Sequence, residues 1–445
     1  MRIELPEKVE GIIQTLMQAG YEAYAVGGCV RDSLLGKEPK DWDITTSAKP
    51  EEVKRLFPKT IDTGILHGTV TVMSGREGFE VTTYRIDGKY EDSRHPKEVT
   101  FTPNLLEDLK RRDFTINAMA YNENTGLVDE FDGIGDLKRG VIRCVGEAEQ
   151  RFKEDALRMM RAVRFAAQLG FSIDEDTKEA ICKLAPTLKN ISAERIQVEL
   201  VKLLESDHPE EMRTLYETGI TAVMLPEFDA MMQTEQNNPH HMYTVGEHTI
   251  VALCQIPKDK VLRLTMLLHD VAKPVCRTMG EDGIHHFHGH PAKGSEMAEK
   301  ILRRLKFDND TIRRVSRLVR GHDDNPPVSE KNVRRAIVRL GIEAYPDLFA
   351  VKRADILAQS SYKRAEKLAY VNAYEACYHT VLEKKQCLCL KDLAVNGGDL
   401  IAEGMKSGTA LGAELKELFA LVLEDPSKNT KEYLLEEVRK KIKQV

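Results

Sequence analysis

The chain has 445 residues, of which 42% are hydrophobic and 31% charged, so it is long enough for about three domains with buried cores. Its net charge of −6 argues against a protein that holds nucleic acid simply by overall basic charge, although a local basic surface can still do so. The N-terminus has no signal pattern, no apolar run reaches membrane-spanning length, and the 8 cysteines include no Cys-x-x-Cys pair, so we expect a cytoplasmic protein without a membrane partner.

The first third of the chain alternates helical and strand patterns. Apolar residues at helical spacing predict a helix over 8–19, and turn residues bound the segments that follow. These segments are predicted as a strand over 23–26, a helix over 29–35, a strand over 41–45, a helix over 50–57 and a hairpin of strands over 68–73 and 78–84. We therefore predict an α+β fold that begins with a small mixed sheet.

From Glu147 onward strand signals almost vanish, and helical patterns follow one another with short turns between them. A polar segment with a proline, residues 233–242, marks a change in composition. The predicted domains are a mixed-sheet head (1–145), an all-α neck (146–232), a helical domain (233–335) and a helical C-terminal region (336–445).

Two aspartates one residue apart, Asp41 and Asp43, follow a turn that contains Gly28 and Arg31. Residues i and i+2 of a strand point to the same face, so the two carboxylates are expected side by side. They repel each other unless a cation lies between them, and Mg²⁺ with oxygen ligands and substrate phosphates is the usual solution. The glycine backbone can offer N–H groups to phosphates, and Arg31 can add a forked donor.

A third carboxylate often joins such a pair from a neighbouring strand. Glu80, in the second strand of the predicted hairpin, is the best candidate. The alternative for Glu80 is an exposed strand residue without a catalytic role.

The glycine turn and the aspartates together resemble the catalytic core of the nucleotidyltransferase superfamily. The segment AVGGCVRDSLLGKEPKDWDITT, residues 25–46, is similar to the matching segment of class II tRNA nucleotidyltransferases and bacterial poly(A) polymerases, one branch of this superfamily. Nucleotide transfer of this kind needs one metal ion to lower the pKa of the attacking 3′-hydroxyl and a second to neutralise the leaving pyrophosphate. The resemblance implies that Asp41 and Asp43 hold Mg²⁺ and that Gly28 and Arg31 bind the triphosphate.

Two further segments match motifs of that family. In DLKRRDFTINAMAYN, residues 108–122, the resemblance implies that Arg112 contacts the triphosphate. In RFKEDALRMMRAVRF, residues 151–165, a helical pattern sets Asp155 and Arg158 at i,i+3, where they can pair. The bland alternatives are a solvated arginine and an ordinary intrahelical ion pair.

A carboxylate and a guanidinium side by side can select a base. The carboxylate accepts from the exocyclic amino group of cytosine or adenine, and the guanidinium donates to the adjoining ring acceptor. Uracil and guanine present the opposite polarity and would leave buried polar groups unpaired. The family uses the pair matching Asp155 and Arg158 in this way, and the resemblance extends nucleotide or RNA contacts to Arg161 and Arg164. The loop over 85–98, which in the family helps switch from C to A, has its full length here.

The predicted third domain contains His248, His269-Asp270 and Asp323. These residues match the HD metal-site pattern, and imidazole and carboxylate ligands suit a divalent transition metal. His290 and its neighbours in IHHFHGH could add ligands, but solvent-exposed histidines are the interpretation we favour here.

The resemblance implies an enzyme that adds or repairs the 3′-terminal CCA of tRNA from CTP and ATP. The acceptor stem would lie along basic helical surface and be recognised by shape and phosphates. One candidate surface is the group Arg303, Arg304, Lys306, Arg313, Arg314, Arg317 and Arg320, whose alternative is a solvated helical face.

Other functions stay open at this point. An enzyme that adds only A and a poly(A) polymerase share the head, although DTGILHGTV, residues 62–70, departs from the basic segment of poly(A) polymerases. A phosphohydrolase with an HD domain and a vestigial head is a third alternative, and the intact aspartate pair argues against it. A non-catalytic RNA-binding protein would not need such a pair. The sequence predicts no oligomeric state.

Overall fold

A computed structural model describes residues 2–88, 99–281 and 283–442. The chain folds into two compact units, Met1–Asp229 and Ala230–Val445. The finer division into four domains stays a prediction. Within the described ranges, no helix combines the length and the apolar character needed to cross a membrane.

The first unit is built on a mixed seven-stranded sheet with the order β3-β4-β5-β2-β1-β8-β9. Its strands are β1 (Ala23–Val26), β2 (Ile44–Thr46), β3 (Thr60–Gly64), β4 (Thr69–Ser74), β5 (Glu77–Thr83), β8 (Ala120–Asn122) and β9 (Gly126–Val128), and the short pairs outside it are β6 (Arg85–Asp87) with β7 (Val99–Phe101) and β10 (Val141–Ile142) with β11 (Ser172–Ile173). β2 and β5 run parallel, whereas the other neighbours in the large sheet are antiparallel.

Helices cover this sheet and then take over the chain. Those up to residue 232 are α1 (Glu7–Gln18), α2 (Gly28–Leu34), α3 (Pro50–Leu56), α4 (Leu105–Lys110), α5 (Gly133–Arg139), α6 (Ala148–Glu154), α7 (Leu157–Leu169), α8 (Glu175–Leu184), α9 (Ala193–Leu204), α10 (Met212–Glu217), α11 (Ile220–Met224) and α12 (Pro226–Met232). α1 buries Val9, Ile12, Ile13 and Leu16, which lie on one face of a helix and pack in one core with the strands. A mixed-sheet head followed by helices confirms the predicted α+β class.

The predicted elements of the head are found with shifts of a few residues. The one shift that matters is in the strand predicted over 41–45, because β2 begins at Ile44 and not at Asp41. The two aspartates therefore form the extended approach to the strand and not its interior. The backbone of Asp43 still accepts a hydrogen bond from the Val26 amide at 2.9 Å, so the residue stays tied to the end of β1.

The second unit is helical, apart from the short strand pair β12 (Thr278–Met279) and β13 (His285–His286). Its helices are α13 (Val245–Gln255), α14 (Lys260–Leu268), α15 (Lys273–Cys276), α16 (His290–Arg304), α17 (Asn309–Gly321), α18 (Glu330–Leu340), α19 (Tyr345–Ala358), α20 (Arg364–Glu383), α21 (Gly397–Ala402), α22 (Thr409–Glu424) and α23 (Lys431–Ile442). A separate apolar cluster, with Leu400, Leu418 and Leu434 fully buried, joins α21, α22 and α23 near the C-terminus.

Two glycines of the head provide a test of this packing. A Cβ on Gly133 would lie 2.5 Å from the carbonyl oxygen of Thr115, whereas a Cβ on Gly11 in α1 would meet no atom within 4 Å. We expect Gly133→Ala to lower the free energy of unfolding by about 1–3 kcal/mol through the clash. Gly11→Ala should raise it by about 0.5–1 kcal/mol, because alanine loses less backbone entropy in a helix. Chemical denaturation followed by circular dichroism compares the two, and equal effects would contradict the packing described here.

Candidate functional site

The turn after β1 depends on a glycine. Gly27 has φ 83° and ψ −127°, a backbone conformation that side chains with a Cβ rarely adopt, and α2 begins at the next residue. A Cβ added to Gly27 would lie 3.1 Å from Nη1 of Arg112. The turn thus leaves room for the Arg112 guanidinium to lie against the backbone. A phosphate bound there would accept hydrogen bonds from the guanidinium and from the backbone N–H groups.

The predicted acidic residues lie on neighbouring strands. In the parallel pair of β2 and β5, Ile44 is opposite Val81, so the preceding residues Asp43 and Glu80 lie at matching positions. Ile44 and Val81 are buried in the core, and alternation along the strands turns Asp43 and Glu80 to the other face. The Asp41, Asp43 and Glu80 residues are all accessible to solvent.

The charges of these groups act on one another. Partial loss of hydration raises the pKa of the Asp43 carboxyl. The positive charge of Arg112 lowers this pKa, and the negative charges of Glu80 and Asp41 raise it further. Among the described residues, each set of three possible metal-ligand atoms that lie within 4.8 Å of one another is in the second unit. The carboxylates of Asp41, Asp43 and Glu80 are therefore further apart than this. Mutual repulsion favours that wider spacing, and a divalent cation would relieve it. Oxygen donors of this kind fit Mg²⁺.

Arg31 is engaged within the protein. The side chain is buried, its Nε donates to Asp32 at 2.8 Å and its Nη1 to Asn117 at 2.7 Å, and its guanidinium lies 5.0 Å from the centre of the Phe165 ring. Arg31 therefore braces α2 against the segment around Asn117, and Arg112 is the arginine that faces the carboxylates.

Asp113 joins the head to α7. One carboxylate oxygen accepts from the Phe114 amide at 2.9 Å, and the other lies 2.6 Å from Nη2 of Arg161. Burial alone would raise the pKa of Asp113, but Arg161 and Arg158 hold it far below its usual range. The predicted nucleotide contact Arg161 is thus part of a structural ion pair.

Arg164 also makes contacts within the protein. It is buried, its Nε lies 2.9 Å from Glu199 Oε2, and its guanidinium stacks 3.6 Å from the centre of the Phe165 ring. The sequence analysis missed Glu199, because that residue is 35 positions away on α9 and carries no local signal.

The proposed base-reading residues are placed differently from the expected helical pair. The helix predicted over 151–165 breaks between α6 and α7, and Asp155 takes an extended conformation with φ −139°. Asp155 Oδ2 lies 2.6 Å from Nη2 of Arg195, a residue of α9 that the sequence analysis missed. Arg158 instead donates to Glu154 at 2.7 Å and to the Arg111 carbonyl at 3.0 Å. The break explains the difference, because i,i+3 geometry requires a continuous helix.

In the second unit, three predicted metal-site residues come together. His248, His269 and Asp270 are buried, and their ligand atoms lie within 4.8 Å of one another. Asp323 is exposed and is not in this group, so its role as a ligand stays a prediction. Its neighbour His322 points inward in its place, since adjacent helical residues lie about 100° apart around the axis.

Two further corrections concern this cluster. His290 was expected to be solvent-exposed, but it is 7% exposed and its ring shares Asp270 with His322. Asp355 of α19 also contacts the cluster, at 2.9 Å from His248 Nε2, although it lies in the predicted C-terminal region. We name His248, His269, Asp270, His290, His322 and Asp355 the histidine–aspartate cluster.

Two other predictions are affected by the structure. Residues 89–98 of the loop expected to control the switch from C to A lie outside the described residues. The basic surface on α16 and α17 is largely paired with acidic groups: the contacts are Arg303 with Glu299, Arg313 with Asp310, Arg314 with Asp347 and Arg317 with Glu343.

Comparison with known proteins identifies the class of the head. Residues 23–143 match the family model "Poly A polymerase head domain", and residues 170–232 match "Probable RNA and SrmB- binding site of polymerase A". Residues 291–438 match a model for domain 2 of tRNA nucleotidyltransferases. The fold and the carboxylate site thus define a nucleotidyltransferase with a poly(A) polymerase type of head.

Whole-chain relatives identify the family. The CCA-adding enzyme of Lactobacillus delbrueckii subsp. bulgaricus is 37% identical over 96% of this chain and 95% of that enzyme, and the Lactiplantibacillus plantarum enzyme is 57% identical over 44% of this chain and 49% of that enzyme. A crystal structure of the Bacillus stearothermophilus CCA-adding enzyme in complex with CTP has a TM-score of 0.75 and 32% identity, covering 99% of this chain and 100% of that chain. The chain belongs to the CCA-adding enzymes, the class II tRNA nucleotidyltransferases.

The contribution of the ion pair between Asp113 in the head and Arg161 in α7 to stability can be tested by lowering the pH. The folded-state pKa of Asp113 is depressed, so its stabilisation is present above the unfolded pKa of about 3.9 and is lost as the pH falls below it. We expect Asp113→Asn to lower the free energy of unfolding at neutral pH by about 2–3 kcal/mol. The variant should also lose less stability than the wild type between pH 5 and pH 3, which denaturation at several pH values measures. If the free energies of unfolding of the variant and the wild type changed with pH by the same amount, the ion pair of Asp113 would not contribute to stability.

Proposed function

We propose that this chain adds the terminal CCA to tRNA from CTP and ATP without a nucleic-acid template. The proposal rests above all on the three carboxylates of Asp41, Asp43 and Glu80 beside Arg112, within a chain that has CCA-adding relatives along almost its whole length. Full addition of C, C and A is preferred over addition of A alone or of long A tails, because the relatives quoted above are named for CCA addition.

Asp41 and Asp43 would hold Mg²⁺, with Glu80 as the third carboxylate. Metal ions held there would supply the chemistry of the transfer, one lowering the pKa of the attacking 3′-hydroxyl and a second neutralising the leaving pyrophosphate. The chain's own groups position the nucleotide. The Gly28 backbone and Arg112 meet the triphosphate at the start of α2, and Arg31 supports that turn through Asp32 and Asn117.

Base selection is assigned to Asp155 and Arg158. Arg195 holds the Asp155 carboxylate by two contacts, at 2.6 and 3.4 Å, so the acceptor oxygens have a fixed direction. The Arg158 guanidinium is anchored on Glu154 and on backbone carbonyls, which fixes its donors too. Cytosine and adenine would find both partners, whereas uracil and guanine would leave them unpaired.

The acceptor end of tRNA would be recognised through its shape and phosphates. Because acidic neighbours pair with much of the basic group on α16 and α17, this surface offers less positive charge than its sequence suggests. The cytoplasmic location expected from the composition stays a prediction.

A second proposal concerns the histidine–aspartate cluster, which is separate from the nucleotide site in the chain. We infer that His248, His269 and Asp270 bind one divalent transition metal, with Asp355 in the role first given to Asp323. The supporting observation is the complete burial of two imidazoles and a carboxylate with their ligand atoms converging.

Nucleotide transfer provides the first test. The assay offers tRNAs that end before the first C, after the second C or after the terminal A, with labelled CTP or ATP and Mg²⁺. The wild type should add nucleotides in order and stop at CCA. Asp43→Asn should lower incorporation of both nucleotides by about 100-fold or more, because a metal ligand is lost. The matched control is Asp62→Asn, which removes an exposed head carboxylate paired with Lys54 and should leave activity unchanged. Long A tails from the wild type would instead indicate a poly(A) polymerase.

Base selection provides the second test. Asp155→Ala removes the acceptor and leaves the Arg195 guanidinium without its partner. We expect the preference for CTP over UTP, as a ratio of kcat/KM, to fall by about 10–100-fold. Asp176→Ala, an exposed residue of α8, is the control and should keep the wild-type ratio. A loss of kcat/KM for CTP and UTP by the same factor would assign Asp155 to folding and not to base selection.

A further inference from the structure

Asp108 is a buried carboxylate of α4 that lies beside the nucleotide site. Its side chain has no exposed surface, and both of its oxygens accept hydrogen bonds. The donors are the Arg85 amide at 3.4 Å and Arg111 Nε and Nη2 at 2.9 and 2.8 Å on Oδ1, with Thr45 Oγ1 at 3.2 Å and Arg112 Nη2 at 3.4 Å on Oδ2. Strand β2, the start of β6 and the end of α4 therefore meet at one carboxylate.

Asp108 carries its negative charge at neutral pH. Burial alone would raise the pKa of Asp108, but the positive charges of Arg111 and Arg112 outweigh this effect and hold the pKa below its usual range. An asparagine in its place would offer one acceptor oxygen and one NH₂ donor. Because each oxygen of Asp108 faces an arginine, either orientation of that amide would set a donor against a guanidinium. The position therefore requires a carboxylate.

Asp108 directs the Arg112 guanidinium. Across the ranges that the structure describes, Asp108 is the hydrogen-bond partner of the Arg112 side chain, and Arg112 Nε is buried without a partner. Nη1 lies against the Gly27 turn, 3.1 Å from the position of an added Cβ. Arg112 also lowers the pKa of Asp43, so its charge acts on the carboxylate site. A guanidinium that is held at one nitrogen and has a further N–H unpaired is suited to receive phosphate oxygens.

The residue proposed to read the base depends on the same carboxylate. The side chain of Arg111 donates to Asp108, and the backbone carbonyl of Arg111 accepts from Arg158 Nη2 at 3.0 Å. Arg158 is the donor assigned above to base selection. The consecutive residues Arg111 and Arg112 thus reach the two ends of the nucleotide site. Since Asp108 holds both by their side chains, a shift of this segment would displace both ends together.

The same carboxylate connects this segment to the sheet. Thr45 is two residues after Asp43, so its side chain lies on the same face of the extended chain. Thr45 is fully buried, and its hydroxyl is the group that contacts Asp108. The Arg85 amide joins the first residue of β6 to Asp108 as well. The arginines are therefore held in a fixed relation to the strand that follows the acidic pair.

We propose that Asp108 is a positioning residue that holds Arg112 towards the triphosphate and, through Arg111, holds Arg158 towards the base. The proposal rests on the nucleotide-binding roles proposed above for Arg112 and Arg158. Asp108 is enclosed by protein, so it contacts no nucleotide and acts only through the arginines. Triphosphate affinity and base selection should therefore weaken together when its charge is removed.

Nucleotide binding tests the proposal. Isothermal titration calorimetry of the full-length protein with Mg²⁺ gives the dissociation constants of CTP, CMP and UTP. The ratio of CMP to CTP reports the phosphates, because the base cancels, and the ratio of UTP to CTP reports the base, because the phosphates cancel. We expect Asp108→Asn to lower each ratio by about 10-fold. A fraction of unfolded protein lowers the number of binding sites and changes neither ratio.

A matched control separates this effect from a general loss of stability. Asp174→Asn changes an aspartate of the first unit that accepts hydrogen bonds from the amide and the hydroxyl of Thr177 at the start of α8. This variant should keep both ratios at the wild-type values. If circular dichroism shows that Asp108→Asn does not fold, Asp108→Ser is measured with the same expected results, since serine leaves space for water and adds no amide donor beside the arginines.

Double variants test whether Asp108 acts through the two arginines. In the presence of Arg112→Ala, adding Asp108→Asn should leave the ratio of CMP to CTP at the value for Arg112→Ala alone. In the presence of Arg158→Ala, adding Asp108→Asn should likewise leave the ratio of UTP to CTP unchanged. A further fall by the full factor seen without these substitutions would show that Asp108 acts independently of the arginines, and would overturn the proposal.

The other outcomes are also decisive. Wild-type ratios in Asp108→Asn, or a fall in one ratio alone, would overturn the shared role of Asp108. A wild type that binds no CTP would overturn this proposal together with the proposed function. A wild type that binds CTP but fails to add CCA in the transfer assay would contradict the proposed function alone, because the two ratios still measure what Asp108 does.

Discussion

Repulsion among carboxylates beside the central strands β2 and β5 of the head sheet is the constraint on which the proposed chemistry depends. Asp43 is held by the backbone at the end of β1, and the parallel neighbour β5 sets Glu80 beside it. Asp41 and Glu80 both raise the pKa of Asp43, and only Arg112 opposes them among the groups that act on it most strongly. A site with this imbalance favours a cation, and the glycine turn next to it leaves room for the Arg112 guanidinium.

A second layer of charge holds this site in place. Asp113 pairs with Arg161, Glu199 with Arg164, and Asp155 with Arg195, so α7 and α9 are connected to each other and to the head by ion pairs. These pairs are partly or fully buried, where the loss of one partner is costly. Arg161 and Arg164, for which the resemblance implies nucleotide or RNA contacts, therefore also pair with carboxylates of the chain itself.

The second unit uses the same electrostatic principle with different donors. In the head, the candidate ligands are carboxylates, which would suit a hard ion such as Mg²⁺. In the histidine–aspartate cluster, imidazoles outnumber carboxylates and are buried, which suits a transition metal. The two groups of side chains thus differ in donor type, with carboxylates in the head and mainly imidazoles in the histidine–aspartate cluster.

The sequence by itself determined the α+β class, the glycine turn, the acidic pair and the His269-Asp270 dipeptide, because strand alternation and turn chemistry act over a few residues. Only the tertiary structure decided the partners that come from distant helices. Arg195 and not Arg158 lies beside Asp155, and Asp355 lies beside His248, contacts that the sequence does not reveal since a contact across 40 or 107 residues has no local pattern. The helix break at Asp155 belongs to the same group, because packing against α9 overrides a continuous helical period.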